Sequence, residues 1–169
     1  EAREIVDLAK KAGVIIIEAI THRFIPNAIE AKKRIKDLGD LKIVSFNYSQ
    51  YSTRYNKFRQ GIIDPVFSLE HAGGALMDLN LYNISFAVDI FGLPKEAKYY
   101  ANIDRDIDTS GIAILDYGDF KVTCIGSKDT GAPVISTIQG IDGTIEITDS
   151  INSFGEFSIR LNKEDKKEN

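Results

Sequence analysis

The chain has little of the chemistry that most self-contained enzymes carry. Its 169 residues include one cysteine and two histidines, so an internal disulfide framework is excluded and a His/Cys metal centre is disfavoured. No GxGxxG follows a predicted strand, and neither a Walker-type phosphate loop nor a serine-nucleophile motif occurs. These absences argue against a dinucleotide-binding domain, a P-loop enzyme or a serine hydrolase, and we predict no metal site.

Long apolar runs and a strong charge imbalance are lacking too. No stretch approaches the ~20 apolar residues of a membrane span, and the charged, amphipathic beginning has no secretory signal pattern. With 43% hydrophobic and 27% charged residues and a formal net charge of -4, the composition gives no electrostatic reason to bind nucleic acid or an anionic membrane. We interpret the lone Cys124 as a buried apolar residue, compatible with a cytoplasmic location.

The first 20 residues predict the end of an α/β unit. Residues 2–12 form an amphipathic helix that Gly13 ends, and residues 14–17 are all β-branched, as in a parallel strand buried on both faces. The chain offers no further strands for such a sheet. We therefore interpret residues 1–20 as the closing part of an upstream α/β domain.

Polar residues follow that predicted strand, where α/β domains place their ligands. Residues 18–24 include Glu18, His22 and Arg23. One interpretation makes this segment part of a functional site. The other is a loop in which Glu18 and Arg23 pair with each other, and the sequence leaves both open.

The next segment predicts a helix, a strand and a long connection. Residues 26–38 form a helix with Ile29, Ile35 and Leu38 directed inward, and residues 41–51 form a strand. Residues 52–72 are predicted to be irregular. A connection of ~20 residues inside a compact domain indicates a lid or a binding segment.

A helix over residues 73–92 organises the rest of the chain. It is apolar around most of its circumference, but Asp78, Tyr82, Ser85 and Asp89 share one face. A buried carboxylate and phenol need partners, and a positioned tyrosine can act as a general acid. In the alternative, Asp78 stabilises the first turn and Tyr82 fills the core. Periodicity alone favours that alternative.

The remaining residues predict an antiparallel sheet. Short strands are expected at 97–103, 110–117, 120–128, 134–140, 143–149 and 155–161. The fold class is therefore α+β, with an open-faced, mostly antiparallel sheet and helices on one side. We expect residues 21–161 to form this domain and residues 162–169 to be a frayed, charged tail.

Three motifs resemble the Gfo/Idh/MocA oxidoreductases. EAITHRFIP at 18–26 and AGGALMDLNLYNISFAVDIFGLP at 72–94 carry the resemblance, and YSTRYNKF at 51–58 is similar to the branch with dihydrodiol and xylose dehydrogenases. The resemblance implies an N-terminal Rossmann domain that binds NAD or NADP, of which residues 1–20 are a remnant, followed by an open-faced sheet domain. It implies that Tyr82 donates or accepts a proton at the substrate oxygen, beside Asp78. A lysine of an EKP motif, expected upstream, shares that role.

The chain departs from the family pattern at two positions. Relatives often have a tryptophan before a TRF segment, where this chain has Thr21 and then His22. Asn80 replaces the glycine that usually follows Asp-Leu. We predict that Glu18 lies at the domain junction and binds the cofactor. The predicted substrate-binding residues are His22, Arg23, Arg54 and Asn80.

The function that this resemblance implies is the substrate-binding and oligomerisation portion of an NAD(P)-dependent oxidoreductase. Its substrate would be a sugar, polyol or diol, and a homodimer or homotetramer would form through the open sheet face. The chain is expected to be inactive without its Rossmann domain. The alternative is a non-catalytic oligomerisation or sugar-sensing module on the same scaffold.

Overall fold

The computed structural model describes residues 2–162, and these residues form a sheet with helices packed on one face. The helices are α1 (Ala2–Ala12), α2 (Pro26–Arg34), α3 (Tyr55–Arg59) and α4 (Leu81–Phe91). The strands are β1 (Leu41–Ser49), β2 (Glu96–Asp104), β3 (Ile107–Asp116), β4 (Lys121–Ser127), β5 (Ile135–Gly140), β6 (Gly143–Thr148) and β7 (Glu156–Leu161).

The sheet has seven strands in the order β2-β3-β4-β1-β5-β6-β7. The strand β1 lies in the centre, parallel to β4 and antiparallel to β5. All other neighbouring pairs are antiparallel. The predicted α+β fold with a mostly antiparallel sheet is confirmed. The central position of β1 was not predicted, because it depends on pairing between residues far apart in the sequence.

The core lies between the sheet and the helices α2 and α4. Alternation along β1 directs Val44 and Phe46 to this face, and both side chains are fully buried. Small residues on the helices let them approach the sheet closely. The buried cluster includes Ala28, Ala31, Phe86, Ala87, Ala113, Leu115, Val122, Cys124, Ile138, Ile145 and Ile147. Burial also raises the pKa of the Cys124 thiol to about 12, as expected for an inert apolar residue.

The opposite face of the sheet is not covered by any described residue of the chain. Its apolar part lies on β1, β2 and β3, where Ile43, Tyr100, Ile112 and Ile114 are exposed. The strands β6 and β7 carry a polar part of the sheet surface, lined by Thr144, Glu146, Ser158 and Arg160. The open face is therefore divided into an apolar half and a polar half.

Both central helices differ from their predicted form. The helix expected over 73–92 begins with a π turn, Leu76–Asn80, which continues into α4. The helix expected over 26–38 ends at Arg34, and a 3-10 turn, Ile35–Leu38, follows. Ile29 was predicted to point inward, which is wrong, since it is 42% exposed.

The segment 52–72 is not irregular as predicted. It contains α3 and two 3-10 turns, Pro65–Phe67 and Leu69–His71. A small second core forms where Phe58 and Phe67 stack at 4.8 Å and contact Ile107 of β3. This core gives the segment a defined shape beside the main sheet.

The strand predicted at residues 14–17 does not form. Residues 13–20 are neither helix nor strand, and Ile15 and Ile17 are 88% and 74% exposed. A parallel strand needs a neighbour for its hydrogen bonds, and the described part of the chain places none beside these residues. The predicted frayed tail lies outside the described residues except for Asn162, which donates to the Ile141 carbonyl at 3.0 Å. No helix of the described part is long and apolar enough to cross a membrane.

Candidate active site

A polar cavity of about 310 Å³ lies where β1 and β4 end. Because these two strands are parallel neighbours, with Ser49 opposite Ser127, their carboxyl ends meet at the same edge of the sheet. This brings the residues after β1 next to the residue after β4, while the π turn and α4 close another side. The lining residues are Tyr48, Gln50, Tyr51, Ser52, Thr53, Arg54, Asp78, Leu79, Tyr82, Lys128 and Asn152.

Asp78 and Tyr82 both line this cavity. Asp78 lies in the π turn, where its backbone N–H donates to the Gly74 carbonyl at 3.2 Å, and its side chain is 43% exposed. The Tyr82 ring is half-buried, 6.3 Å from the Tyr48 ring between centroids. No described residue forms a hydrogen bond with the Tyr82 hydroxyl. A phenol and a carboxylate therefore face one cavity, and π turns are frequent at such sites.

Lys128 completes the polar wall, and the sequence interpretation did not single it out. Its ammonium donates to Asp78 Oδ2 at 2.7 Å, and its side chain is 2% exposed. A signal for it was present in the strand pattern. Val122, Cys124 and Gly126 alternate toward the core, so Lys128 follows on the same inward face. A charged residue at an inward position requires a partner.

Arg54 lies at the rim of the cavity, where the sequence interpretation also placed a substrate contact. Its side chain is exposed, and its backbone N–H donates to Ser52 Oγ at 3.3 Å. The resemblance to dehydrogenases pointed to this segment through YSTRYNKF. Its role in binding stays a prediction.

Asn80 lies at the contact between helix and sheet rather than in the cavity. Its side chain is fully buried and donates to the Cys124 carbonyl at 2.9 Å, while its Oδ1 accepts from Asn83 at 3.0 Å. A Cβ at Gly126 would lie 2.9 Å from the Asn80 Cβ. Its predicted role in substrate binding stays a prediction, and this position does not support it.

His22 and Arg23 surround a separate, smaller cavity of about 150 Å³. The His22 ring packs edge-on against Phe86 at 5.1 Å, and burial lowers the pKa of His22 to about 4. Arg23 pairs with Asp89 at 3.8 Å, so the proposed pair with Glu18 does not form. Lys32 donates to the same carboxylate at 2.8 Å.

The pKa of Asp89 reflects this pairing with two cations. Burial alone would raise it, but the hydrogen bond and charge of Lys32, with Arg23, lower it. Glu18 is exposed and lines neither cavity. The structure thus brings Arg54, Asp78 and Tyr82 together and places the other predicted site residues elsewhere. Among the residues it describes, no group of three or more His, Cys, Asp or Glu is placed to hold a metal ion.

The chain thus has an open-faced sheet with helices on one side and a polar cavity at its edge. No protein-family model matches the chain. Scyllo-inositol 2-dehydrogenase (NADP(+)) IolU of Bacillus subtilis is 38% identical over 149 residues, which are 87% of this chain and 45% of the relative. Trans-1,2-dihydrobenzene-1,2-diol dehydrogenase of Sus scrofa is 30% identical over 162 residues, covering 88% of this chain and 44% of the relative.

Solved structures agree with this fold. An NAD binding oxidoreductase from Klebsiella pneumoniae superposes with a TM-score of 0.75 at 19% identity, covering 98% of this chain and 48% of that chain. Aldose-aldose oxidoreductase from Caulobacter crescentus, complexed with glycerol, has a TM-score of 0.72 at 21% identity, covering 92% and 48%. The chain spans about half the length of these relatives. It is a homologue of the C-terminal portion of Gfo/Idh/MocA-type oxidoreductases, and the resemblance is confirmed.

Proposed function

We propose that the chain is the substrate-binding and oligomerisation portion of a cytoplasmic NAD(P)-dependent oxidoreductase. The enzyme would act on a CH–OH or C=O group of a sugar, polyol or diol. The observation that carries this proposal is the convergence of Asp78, Tyr82 and Lys128 on one cavity at the end of the central strands. The names of the relatives, which include an inositol and a diol dehydrogenase, support the substrate class.

The chemistry of this cavity suits a small hydroxylated substrate. Its volume of about 310 Å³ is at the lower end of ligand pockets. The phenol of Tyr82 can take the proton from a substrate hydroxyl or return it to a carbonyl oxygen. The Asp78 carboxylate can accept a hydrogen bond from a neighbouring hydroxyl and orient the substrate. Arg54 at the rim offers several donors to further hydroxyls.

The residues of this chain do not fit a whole dinucleotide, since the sequence has no glycine-rich phosphate loop. A nicotinamide cofactor, held mainly by a separate domain, would supply or accept the hydride. The exposed Ile15 and Ile17 support a junction with that domain, because clustered apolar side chains usually mark an interface. Glu18 directly follows these residues, which is why we keep it at the junction.

The experiment that tests this function is a dehydrogenase assay of the full-length protein on sugars, polyols and diols, with Tyr82→Phe as the variant. We expect kcat to fall by ~10²–10⁴-fold, the usual contribution of general acid–base catalysis. Tyr48→Phe is the matched control, since it removes another hydroxyl from the same cavity. A kcat of Tyr82→Phe within about two-fold of the unaltered enzyme would show that the proton-transfer role is wrong.

Oligomerisation is the second part of the proposal, and the partner is a second copy of the chain. The exposed Ile43, Tyr100, Ile112 and Ile114 form an apolar surface on the open face of the sheet. Self-association would remove this surface from water. Light scattering coupled to size exclusion should show a dimer or tetramer, and a monomer that persists at all concentrations would contradict this part.

A further inference from the structure

Lys128 is a buried cation with a complete set of contacts. Its Nζ donates to Asp78 Oδ2 at 2.7 Å and to the Val66 carbonyl at 2.5 Å. It also lies 4.5 Å from the centre of the Phe67 ring, where a cation is attracted to the aromatic face. Two hydrogen bonds and the ring therefore surround the three N–H groups of the ammonium.

The energetics of this arrangement argue against simple packing. Removing an ammonium from water costs several kcal/mol, and an apolar side chain of similar length would avoid that cost. The two members of the ion pair are also unequally exposed, since Lys128 is 2% and Asp78 43% accessible. Both side chains line the cavity, but the ammonium is almost fully buried and the carboxylate is partly exposed. The buried ammonium contacts the exposed carboxylate from the protein interior, where it can fix the orientation of the carboxylate.

The main chain of Lys128 is held as firmly as its side chain. Its N–H donates to the Thr109 carbonyl at 2.8 Å, and its own carbonyl accepts from the N–H of Ser52 at 2.9 Å. The first bond ties it to β3 and the second to the segment that follows β1. Through Lys128, the sheet as well as the π turn fixes the position of the Asp78 carboxylate.

We propose that Lys128 is a positioning residue, which fixes the Asp78 carboxylate on the cavity wall in the orientation that supports proton transfer at Tyr82. This inference deepens the proposed function and rests on it. Lys128 acts through Asp78, because its ammonium is already in contact with Asp78, the Val66 carbonyl and the Phe67 ring. A lysine that only joins the segment 52–72 to the sheet would instead stabilise the fold independently of Asp78.

A double-mutant cycle in the full-length enzyme separates these two roles. We expect Lys128→Met and Asp78→Asn each to lower kcat by at least about ten-fold, with cofactor affinity unchanged. The double variant should lose no more than about two-fold beyond the more impaired single variant, because both remove the same interaction. If the fold-losses in kcat of the two single variants multiply in the double variant, the inference is overturned. Lys121→Met is the control, since Lys121 begins the strand that Lys128 follows and pairs with Asp116 at 3.0 Å on the surface.

A crystal structure of the full-length Lys128→Met protein gives a readout that does not depend on turnover. We expect the Asp78 carboxylate to move by more than about 0.5 Å, the tolerance within which catalytic groups must be held. A carboxylate that stays in place overturns the inference, even if the unaltered protein is active on a sugar or diol. Absence of any nicotinamide-dependent turnover in the unaltered protein would count against the proposed function instead. If Lys128→Met does not fold, Lys128→Gln, which keeps a donor for the Val66 carbonyl, replaces it in both experiments.

Discussion

Asp108 of β3 caps the helix of the candidate site from the neighbouring sheet: its Oδ2 accepts a hydrogen bond from the backbone N–H of Leu76 at 2.7 Å. The first N–H groups of a helix lack partners within it, and an acceptor with negative charge stabilises them. The same oxygen accepts from the Tyr99 hydroxyl at 2.6 Å. Burial, and then this hydrogen bond, raise the pKa of Tyr99. One carboxylate thus connects β2, β3 and the start of the π turn.

The first prediction concerns the stability that Asp108 provides. Asp108→Ala removes the acceptor for Leu76 and leaves the half-buried Tyr99 hydroxyl without a partner, so the free energy of unfolding should fall by about 2 kcal/mol. Urea unfolding measures this change. Asp119→Ala, in the exposed turn between β3 and β4, is the control and should alter stability by less than about 0.5 kcal/mol. Equal losses in the two variants would contradict the capping role.

The second prediction concerns Gly74, which precedes the π turn with a φ of +99°. A Cβ at this position would lie 1.9 Å from Asp108 Oδ1, so Gly74→Ala must displace the carboxylate. Gly61 has a φ of +88° and no atom within 4 Å of its Cβ position. Gly61→Ala should therefore lower the free energy of unfolding only through backbone strain, which costs of order 1 kcal/mol.

Comparison of these two glycine variants isolates the effect of the steric contact between position 74 and Asp108. We expect Gly74→Ala to lower the free energy of unfolding by at least about 2 kcal/mol more than Gly61→Ala, since it combines a steric overlap with partial loss of the cap. Thermal or urea unfolding of both variants measures the difference. If both lose the same stability, the contact between Gly74 and Asp108 is not a constraint on the fold.

Local patterns in the sequence predicted most strands and the helix that carries Asp78 and Tyr82. Alternation is enforced by burial of one face, so all strands after α4 begin and end within three residues of their predicted bounds. The pairing of β1 with β4 was not predictable, because it joins residues such as Phe46 and Cys124 that are far apart in the sequence, with α3, α4, β2 and β3 between them. The cavity depends on that pairing. Arg54, Asp78 and Tyr82 could therefore be named as candidate site residues from the sequence. That they line one cavity with Lys128 could not be predicted.

Two further differences have local causes that sequence patterns do not reveal. A π turn arises from main-chain geometry and close packing, here of Asn80 against Gly126, and leaves no periodic signal of its own. The apolar residues 14–17 were predicted to form a buried strand, which is wrong for the described chain. The described chain offers nothing to bury them, so Ile15 and Ile17 are exposed.

The last prediction concerns the pH dependence that His22 gives to stability. Burial lowers the pKa of His22 from 6.5 to about 4, against the opposing charge of Asp89, so the folded protein holds this imidazole neutral. Between these two pH values the unfolded chain binds a proton that the folded chain does not. The stability due to neutral His22 is therefore complete above about pH 6.5 and is lost progressively as the pH falls toward about 4.

Urea unfolding at about pH 7.5 and pH 5 measures this loss, which should amount to about 1 to 2 kcal/mol between the two conditions. His22→Gln removes the titrating group. Between about pH 7.5 and pH 5, the free energy of unfolding of this variant should therefore fall by about 1 to 2 kcal/mol less than that of the unaltered protein. His71→Gln is the matched control, because His71 is exposed and no other histidine is present. Its stability should fall as much as that of the unaltered protein. Identical pH dependence in all three proteins would mean that His22 is not held neutral by the fold.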